Sequence, residues 1–347
     1  MTLHEHGKRL PSLLEYAAML MPADWPNDNE TLHHSGAVSS GREDELCLVQ
    51  TSEKGYRMMP GPELCPRLYR GQTEDHSPCR PGLYRGLADA DMLYWTAKAV
   101  ELGDLVIRHP AAKDLLKWDF DGLKYEVDFE AIAQHYGYPT RMLDLTRSRN
   151  IAMFFATHHI HEDSRPEPAL GCRAVLYTID LKQFIENRAN TDGDFAPIGL
   201  CPLPRPAAQS AFGVKLEQSE DFDLLPDVKK ETITVTPELA GHYAGLFDDG
   251  RKLFPSDPFE DQIRTLRGNG KVSIGAIRAA VDEGRIPPYP GGLKGIEKCL
   301  TDRGYRVDPE DPRIPSPEIL EAASGQWLRR RAGYIDRIRW RGVADAV

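Results

Sequence analysis

The sequence predicts an α+β protein, a sheet core with flanking helices that ends in a mainly helical appendage. Three observations predict it. Extended, β-rich phrases recur at 67–72, 140–145 and 174–179, with helical patterns between them. Helix starts are marked by capping side chains, some with proline at the first helical position, at Ser12, Asp128, Thr236-Pro237, Ser273 and Ser316-Pro317. The turn signal Gly268-Asn269-Gly270 divides the 347-residue chain into a main domain, 8–267, and an appendage, 268–347. Single cores stop growing near roughly 250–300 residues, so one large domain plus an appendage fits the length.

In chain order, Leu13, Leu14, Tyr16, Ala17, Met19 and Leu20 form the apolar residues of a helix capped by Ser12 and stopped by Pro22. Asn27 to Glu45 is rich in Ser, Gly, Asn and His and reads as a loop. Arg67 to Gln72 reads as a short strand ending at a glycine turn. Leu83-Tyr84-Arg85-Gly86 repeats part of its wording, too briefly to imply duplication. Residues 87–118 are mostly helical in pattern. Asp128 caps a helix that carries Phe129, Ile132, Ala133 and Tyr136 on one face, and Gly137 with Pro139 ends it. The extended piece Thr140 to Leu145 runs through Thr146-Arg147-Ser148-Arg149-Asn150 into a helix with Ile151, Phe154, Phe155 and His158 on one stripe. Ala174 to Ile179 suggests a central strand. Arg205 to Phe212 reads as a turn entering another extended piece, Thr232 to Val235 as a strand and Pro237 to Leu246 as a helix. In the appendage, Ile274, Ile277 and Val281 follow the Ser273 cap, and a last helical region sets Trp327, Leu328, Ile335 and Ile338 among arginines.

Hydrophobic residues make up 41% of the chain and charged residues 28%, a globular balance that argues against wholesale disorder. A net charge of −10 and a pI near 5.6 give no general attraction to nucleic acid or anionic membrane. No apolar run approaches the roughly 20 residues of a membrane helix, so no membrane partner is expected. Six cysteines lie scattered without a CxxC pair and nothing at the start resembles a secretory signal, so reduced thiols in the cytoplasm are expected.

The order of phrases resembles the FRG domain family, named for an aromatic-Arg-Gly motif near its start. Here that motif is Tyr69-Arg70-Gly71-Gln72, followed by the family's second basic phrase at Leu83-Tyr84-Arg85. The strongest match runs from Ala133-Gln134-His135-Tyr136-Gly137 through Pro139-Thr140-Arg141-Met142-Leu143-Asp144-Leu145-Thr146 to Ala152-Met153-Phe154-Phe155-Ala156, a phrase long enough to be specific. The Arg205 to Phe212 segment looks like the family's arginine-plus-glutamine element. The resemblance covers roughly residues 8–260 and leaves out the appendage.

A second resemblance, to the ADP-ribosyltransferases, implies a mixed or split antiparallel sheet core around a cleft for NAD. Those enzymes carry an Arg or His on an early strand, a Ser/Thr-rich strand next and a Glu or Gln later; Arg70, Thr146 with Ser148, and Gln209 stand here in that order. It implies NAD as substrate and Arg70, Thr146 and Gln209 as the catalytic group. Tyr69, Gly71, Gln72, Arg85, Gln134, His135, Arg141, Asp144, Ser148 and Phe154 would complete the binding site.

The chemistry suits those residue types. An arginine fork pairs bidentately with phosphate, and Gly71 beside Arg70 permits close backbone approach. Thr146 and Ser148 hydroxyls suit ribose, helix amides near Arg149 favour an anion, and Tyr69 and Phe154 would stack on nicotinamide. The glycosidic bond opens with oxocarbenium character, so hydrogen bonds to ribose hydroxyls lower the barrier. Gln209 orients a hydroxyl but cannot ionise; Glu217 would substitute if the chain folded back. Asp144, between Leu143 and Leu145, is expected to position Arg70.

Structural roles compete at each position. Arg70 suits an ion pair, Thr146 and Ser148 suit helix caps, and His135 suits a packing role between helices. His158, His159 and His161 with Glu162 match no standard zinc spacing, and no metal is expected. Arg329-Arg330-Arg331 with Arg337, Arg339 and Arg341 form either a paired face or a basic helix for a partner. Three functions follow: an NAD-binding, ADP-ribosyltransferase-like enzyme or NAD-consuming effector with a protein or nucleic-acid acceptor; a non-catalytic nucleotide-recognition module that signals through its C-terminal helices; and nucleic-acid binding through the terminal arginines.

Overall fold

The computed structural model describes residues 8–20, 45–61, 67–188, 195–197, 200–309, 314–339 and 343–344. The polar stretch up to residue 44, Pro22 and Arg341 lie outside the described residues, as does the side chain of Arg339.

Local chemistry sets the first helix, Leu13–Met19. Ser12 accepts from the Glu15 amide at 3.2 Å while the Glu15 carboxylate accepts from the Ser12 amide at 2.8 Å, a closed capping box. The same logic holds wherever a cap was expected. Asp128, Ser148, Thr236, Ser273 and Ser316 each accept an amide of the first turn that follows.

The main sheet has six strands: β1 (Arg67–Gln72), β2 (Met142–Thr146), β3 (Arg173–Asp180), β4 (Phe195–Pro197), β5 (Ala211–Lys215) and β6 (Val228–Thr234). Their spatial order is β4-β5-β2-β1-β3-β6 and every neighbouring pair is antiparallel. The protein is thus α+β. Tyr177 lies opposite Arg70, and Tyr69 and Ala211 both lie opposite Thr146. Register therefore brings three distant phrases side by side.

Seven helices matter for the site and its support: α1 (Asp89–Val106), α2 (Phe129–His135), α3 (Arg149–Thr157), α4 (Pro237–Leu246), α5 (Ile274–Asp282), α6 (Gly292–Arg303) and α7 (Pro317–Ile335). One sheet face packs Leu68, Leu145, Tyr177 and Phe212 against the helices Leu13–Met19 and Leu181–Arg188. The other packs Tyr69 and Leu176 against Ile151 to Phe154 of α3 and Tyr243 of α4.

Two expectations are corrected here, and one stretch that the sequence left unread is filled in. Gly71 makes no turn; it sits inside β1, where a Cβ would stand 1.7 Å from the Ala152 carbonyl oxygen, so its missing side chain is what lets α3 seat on the strand. Arg205 lies not in a turn but in a short helix, Pro204–Ala208, that feeds β5. The stretch 46–60 carries two strands, Leu46–Gln50 and Gly55–Pro60, that begin a second sheet. Leu46 and Leu48 face a cluster with Trp327 of α7, while Cys47 and Val49 face the main core; both faces are buried, so no polar alternation marks the strand.

The appendage docks on α1. Leu93, Tyr94, Ala97 and Val100 meet Val272, Ile277, Ile296 and Leu300, and on another side of α1 Leu102 and Val106 join a cluster with Ile132 of α2. Charges cross the same seam. Arg303 donates to both Asp91 oxygens at 2.9 and 3.0 Å, Tyr305 adds a third bond at 2.7 Å, and Glu101, paired with the buried Lys98, accepts from the Ser273 amide at 3.0 Å. In α7, Arg330 donates to the carbonyls of Cys201, Pro202 and Leu203, and Arg331 pairs with Asp114 at 2.7 Å. Part of the basic cluster is therefore spent within the protein. Among the described residues no helix is long and apolar enough to cross a membrane.

Candidate functional site

A cleft of about 620 Å³ opens beside β1 and β2. Its lining draws Tyr69, Arg70, Gly71 and Gln72 from β1, Gln134 and His135 from the end of α2, and Asp144 and Thr146 from β2. Gln209 joins them because the short helix before β5 ends there, and Arg85 stands at the rim. Three residues expected in the site are elsewhere. Arg141 points its guanidinium at Glu130, 3.1 Å away, Ser148 caps α3 by accepting from Ile151, and Phe154 is wholly buried with its ring stacked on His158. Glu217 does not line the cleft either, since the chain runs on from β5 without folding back.

Arg70 is held by neutral acceptors. Its Nη1 donates to the main-chain carbonyl of Asp144 at 2.8 Å and its Nη2 to Gln72 Oε1 at 3.2 Å. The expected contact with the Asp144 carboxylate is not made, because antiparallel pairing of β1 and β2 presents the backbone to the guanidinium. Gln72 also reaches the Tyr177 hydroxyl at 3.3 Å. Arg85 Nε donates to the Arg80 carbonyl at 2.5 Å. Burial of its head lowers the Arg85 pKa, and the positive charge of Arg70 nearby lowers it further. Among the described residues neither arginine makes an ion pair.

The polar floor is more tightly bound up than the sequence suggested. Thr146 Oγ1 donates to the Gln209 carbonyl at 2.7 Å and accepts from the Ser148 amide at 3.1 Å. The Gln209 amide is engaged at both ends: Nε2 donates to the Leu253 carbonyl at 3.1 Å, and Oε1 lies 2.9 Å from His135 Nδ1. Gln134 is oriented likewise, accepting from Thr140 Oγ1 at 2.7 Å and donating to Asp144 Oδ2 at 3.2 Å. His135 Nε2 and Asp144 Oδ1 face each other at 3.7 Å, and neither reaches a hydrogen-bond partner among the described residues.

Sequence reasoning missed two cationic neighbours. Arg205 lies over the Tyr136 ring, 4.5 Å from its centroid, and pairs with Glu260; Arg267 donates to the Tyr136 carbonyl at 3.4 Å and lies 3.6 Å from Glu162. Arg205 sits in the arginine-plus-glutamine phrase that the family resemblance had flagged. Arg267 carried no signal, since it arrives from the helix Glu260–Gly268 and only tertiary packing brings it near Gly137. Of the histidines, His159 Nδ1 meets Thr73 Oγ1 at 3.3 Å and His161 pairs with Glu167 at 2.6 Å. Burial pushes the His158 pKa down, opposed by its contact with the Phe154 carbonyl at 3.1 Å.

An α+β protein with an arginine-lined, half-open cleft beside its central strands is the class that fold and site define. The family model for the FRG domain matches residues 66–165, from the start of β1 to beyond α3, so the chain carries an FRG domain. That match holds Arg70, Arg85, Gln134, His135, Asp144 and Thr146 but not Gln209. No curated protein and no solved structure matches the chain.

Proposed function

We propose that the cleft binds a pyrophosphate-bearing nucleotide, NAD foremost, and that the domain is an ADP-ribosyltransferase-like, NAD-consuming enzyme. One observation carries the reading: Arg70 and Arg85 present neighbouring guanidinium groups to the cleft, and among the described residues neither makes an ion pair with a carboxylate, Asp144 only partly offsetting the charge of Arg85. Two like charges held close in a partly desolvated cleft destabilise each other, and a bound anion of matching charge removes that repulsion. Arg70 keeps N–H donors beyond the two it spends on Asp144 and Gln72, and its planar fork suits phosphate oxygens. With the pyrophosphate held there, a nicotinamide ribose would lie toward the floor of His135, Asp144 and Thr146, where hydrogen bonds that strengthen as the glycosidic bond opens would lower the barrier.

A second reading is favoured by a specific feature. Thr146 and Gln209 are hydrogen-bonded internally, so the two groups expected to work beside Arg70 hold the cleft's shape instead. A nucleotide-recognition module that passes its bound state to the C-terminal helices needs no more than that.

Calorimetry with NAD, together with chromatographic measurement of nicotinamide release, tests both. Wild-type protein should bind NAD and release nicotinamide, and Arg70→Ala should weaken binding roughly 30-fold, the loss of about 2 kcal/mol of charge-assisted hydrogen bonding. Binding without release selects the recognition module. No binding of NAD at low ionic strength sinks the nucleotide assignment.

A further inference from the structure

The floor of the cleft sets His135 Nε2 and Asp144 Oδ1 facing one another, and its hydrogen bonds fix how both side chains are turned. Leu253 offers Gln209 a carbonyl, which only accepts, so Nε2 of the amide must lie on that side and Oε1 toward His135. The 2.9 Å contact then requires a proton on His135 Nδ1, which leaves Nε2 of the neutral ring as a bare acceptor. The Asp144 carboxylate is fixed the same way. Thr140 donates to Gln134 Oε1 and turns Gln134 Nε2 toward Asp144 Oδ2, leaving Oδ1 to face His135.

The side chain of His135 is 2% exposed and that of Asp144 37%, and their Nε2 and Oδ1 lie 3.7 Å apart without a donor among the described residues. Unsatisfied buried acceptors are destabilising, more so when one is charged. Both residues line the cleft.

We infer that His135 Nε2 and Asp144 Oδ1 form a subsite for two adjacent hydroxyl groups, the cis-diol of a ribose, each hydroxyl donating one hydrogen bond. This rests on the nucleotide reading above and narrows it to ribonucleotides with an unmodified diol. Phosphate is excluded from the subsite, since it offers acceptors to acceptors and meets the Asp144 charge. The basic rim and this acidic floor divide one cleft into a phosphate end and a sugar end.

Asp144→Asn is a sharp test because the fixed Gln134 amide dictates how the new side chain sits. Its oxygen must take the place of Oδ2, which puts the new NH2 group opposite His135 Nε2, where it satisfies that acceptor internally. The variant should therefore melt higher than wild type while binding ADP-ribose, which nicotinamide release cannot consume, about 100-fold more weakly. Two analogues of ADP-ribose, each lacking the 2′-hydroxyl of one ribose, sharpen the result: one of them should bind wild type at least tenfold more weakly than ADP-ribose. If wild type binds ADP-ribose but Asp144→Asn binds it equally well, or both analogues bind like the parent, the diol subsite is overturned and the nucleotide site survives. If wild type binds neither NAD nor ADP-ribose, the nucleotide reading falls and the ribose assignment with it. A lower melting point for Asp144→Asn would show that the two acceptors are not facing each other unsatisfied, whatever binds.

Discussion

The cleft and the seam between α1 and the appendage treat charge in opposite ways. At the seam each buried charge has its answer: Asp91 takes Arg303 and Tyr305, and Lys98 takes Glu101, which also holds the Ser273 amide. In the cleft, Arg70 and Arg85 rest on neutral acceptors, and Asp144 and His135 keep an atom each without a partner. A protein interior tolerates a charge that is compensated at home, so the seam reads as stabilisation. Uncompensated polar atoms reduce stability in the empty protein and are compensated only when something else arrives. Under the function proposed above, the difference separates residues that hold the molecule together from residues offered to a ligand.

That contrast is open to direct attack. The largest effect is expected at the seam, where Glu101→Ala strips the carboxylate from a fully buried Lys98 and should lower unfolding stability by about 3–5 kcal/mol in a denaturant titration. NAD affinity should be unchanged in the folded fraction; a stability loss below about 1 kcal/mol would mean that the seam charges are not mutually dependent. In the cleft the pattern should invert. Arg85→Ala removes one of two repelling cations, so stability should stay within about 0.5 kcal/mol of wild type or rise, while NAD affinity falls roughly tenfold. A clearly destabilised Arg85→Ala protein would place that arginine with the structural charges.

The smallest effect concerns pH. Burial holds the His158 pKa below the ordinary histidine value, so the unfolded chain binds the proton more readily than the folded one. The stability linked to this ring is fully present above the unfolded value and is lost as pH falls from there through the folded value. Melting temperature should thus decline between about pH 7 and pH 5, and His158→Gln should flatten that part of the curve. An unchanged slope in the variant would assign that limb to other groups; Asp128 acts only at lower pH, below the ordinary carboxylate value, because Lys215 and Arg57 nearby, against the opposing effect of burial, hold its carboxyl well below the usual range.

What could be read ahead of the structure depended on how local the cause was. Caps at Ser12, Asp128, Thr236, Ser273 and Ser316 were legible because the capping side chain and the amide it satisfies are three residues apart. The strands at 46–60 were not, because burial on both faces erases the alternation that would announce them. In the site, the phrase from Gln134 to Thr146 placed its own residues beside the cleft, while the partners that define their chemistry came from elsewhere in the chain.

By itself the sequence determined the α+β class, the positions of most helix starts, and the FRG phrases whose residues line the cleft. Those properties are written in neighbouring residues, in caps, periodicity and turn chemistry. Only the tertiary structure decided that Gly71 admits a helix, that Arg70 leans on a carbonyl of Asp144 and not on its carboxylate, and that Gln209 orients His135. Each of those depends on groups brought together from far apart in the chain, as in the 74-residue separations of Arg70 from Asp144 and His135 from Gln209. Strand register and helix packing set such encounters, and no local pattern encodes them.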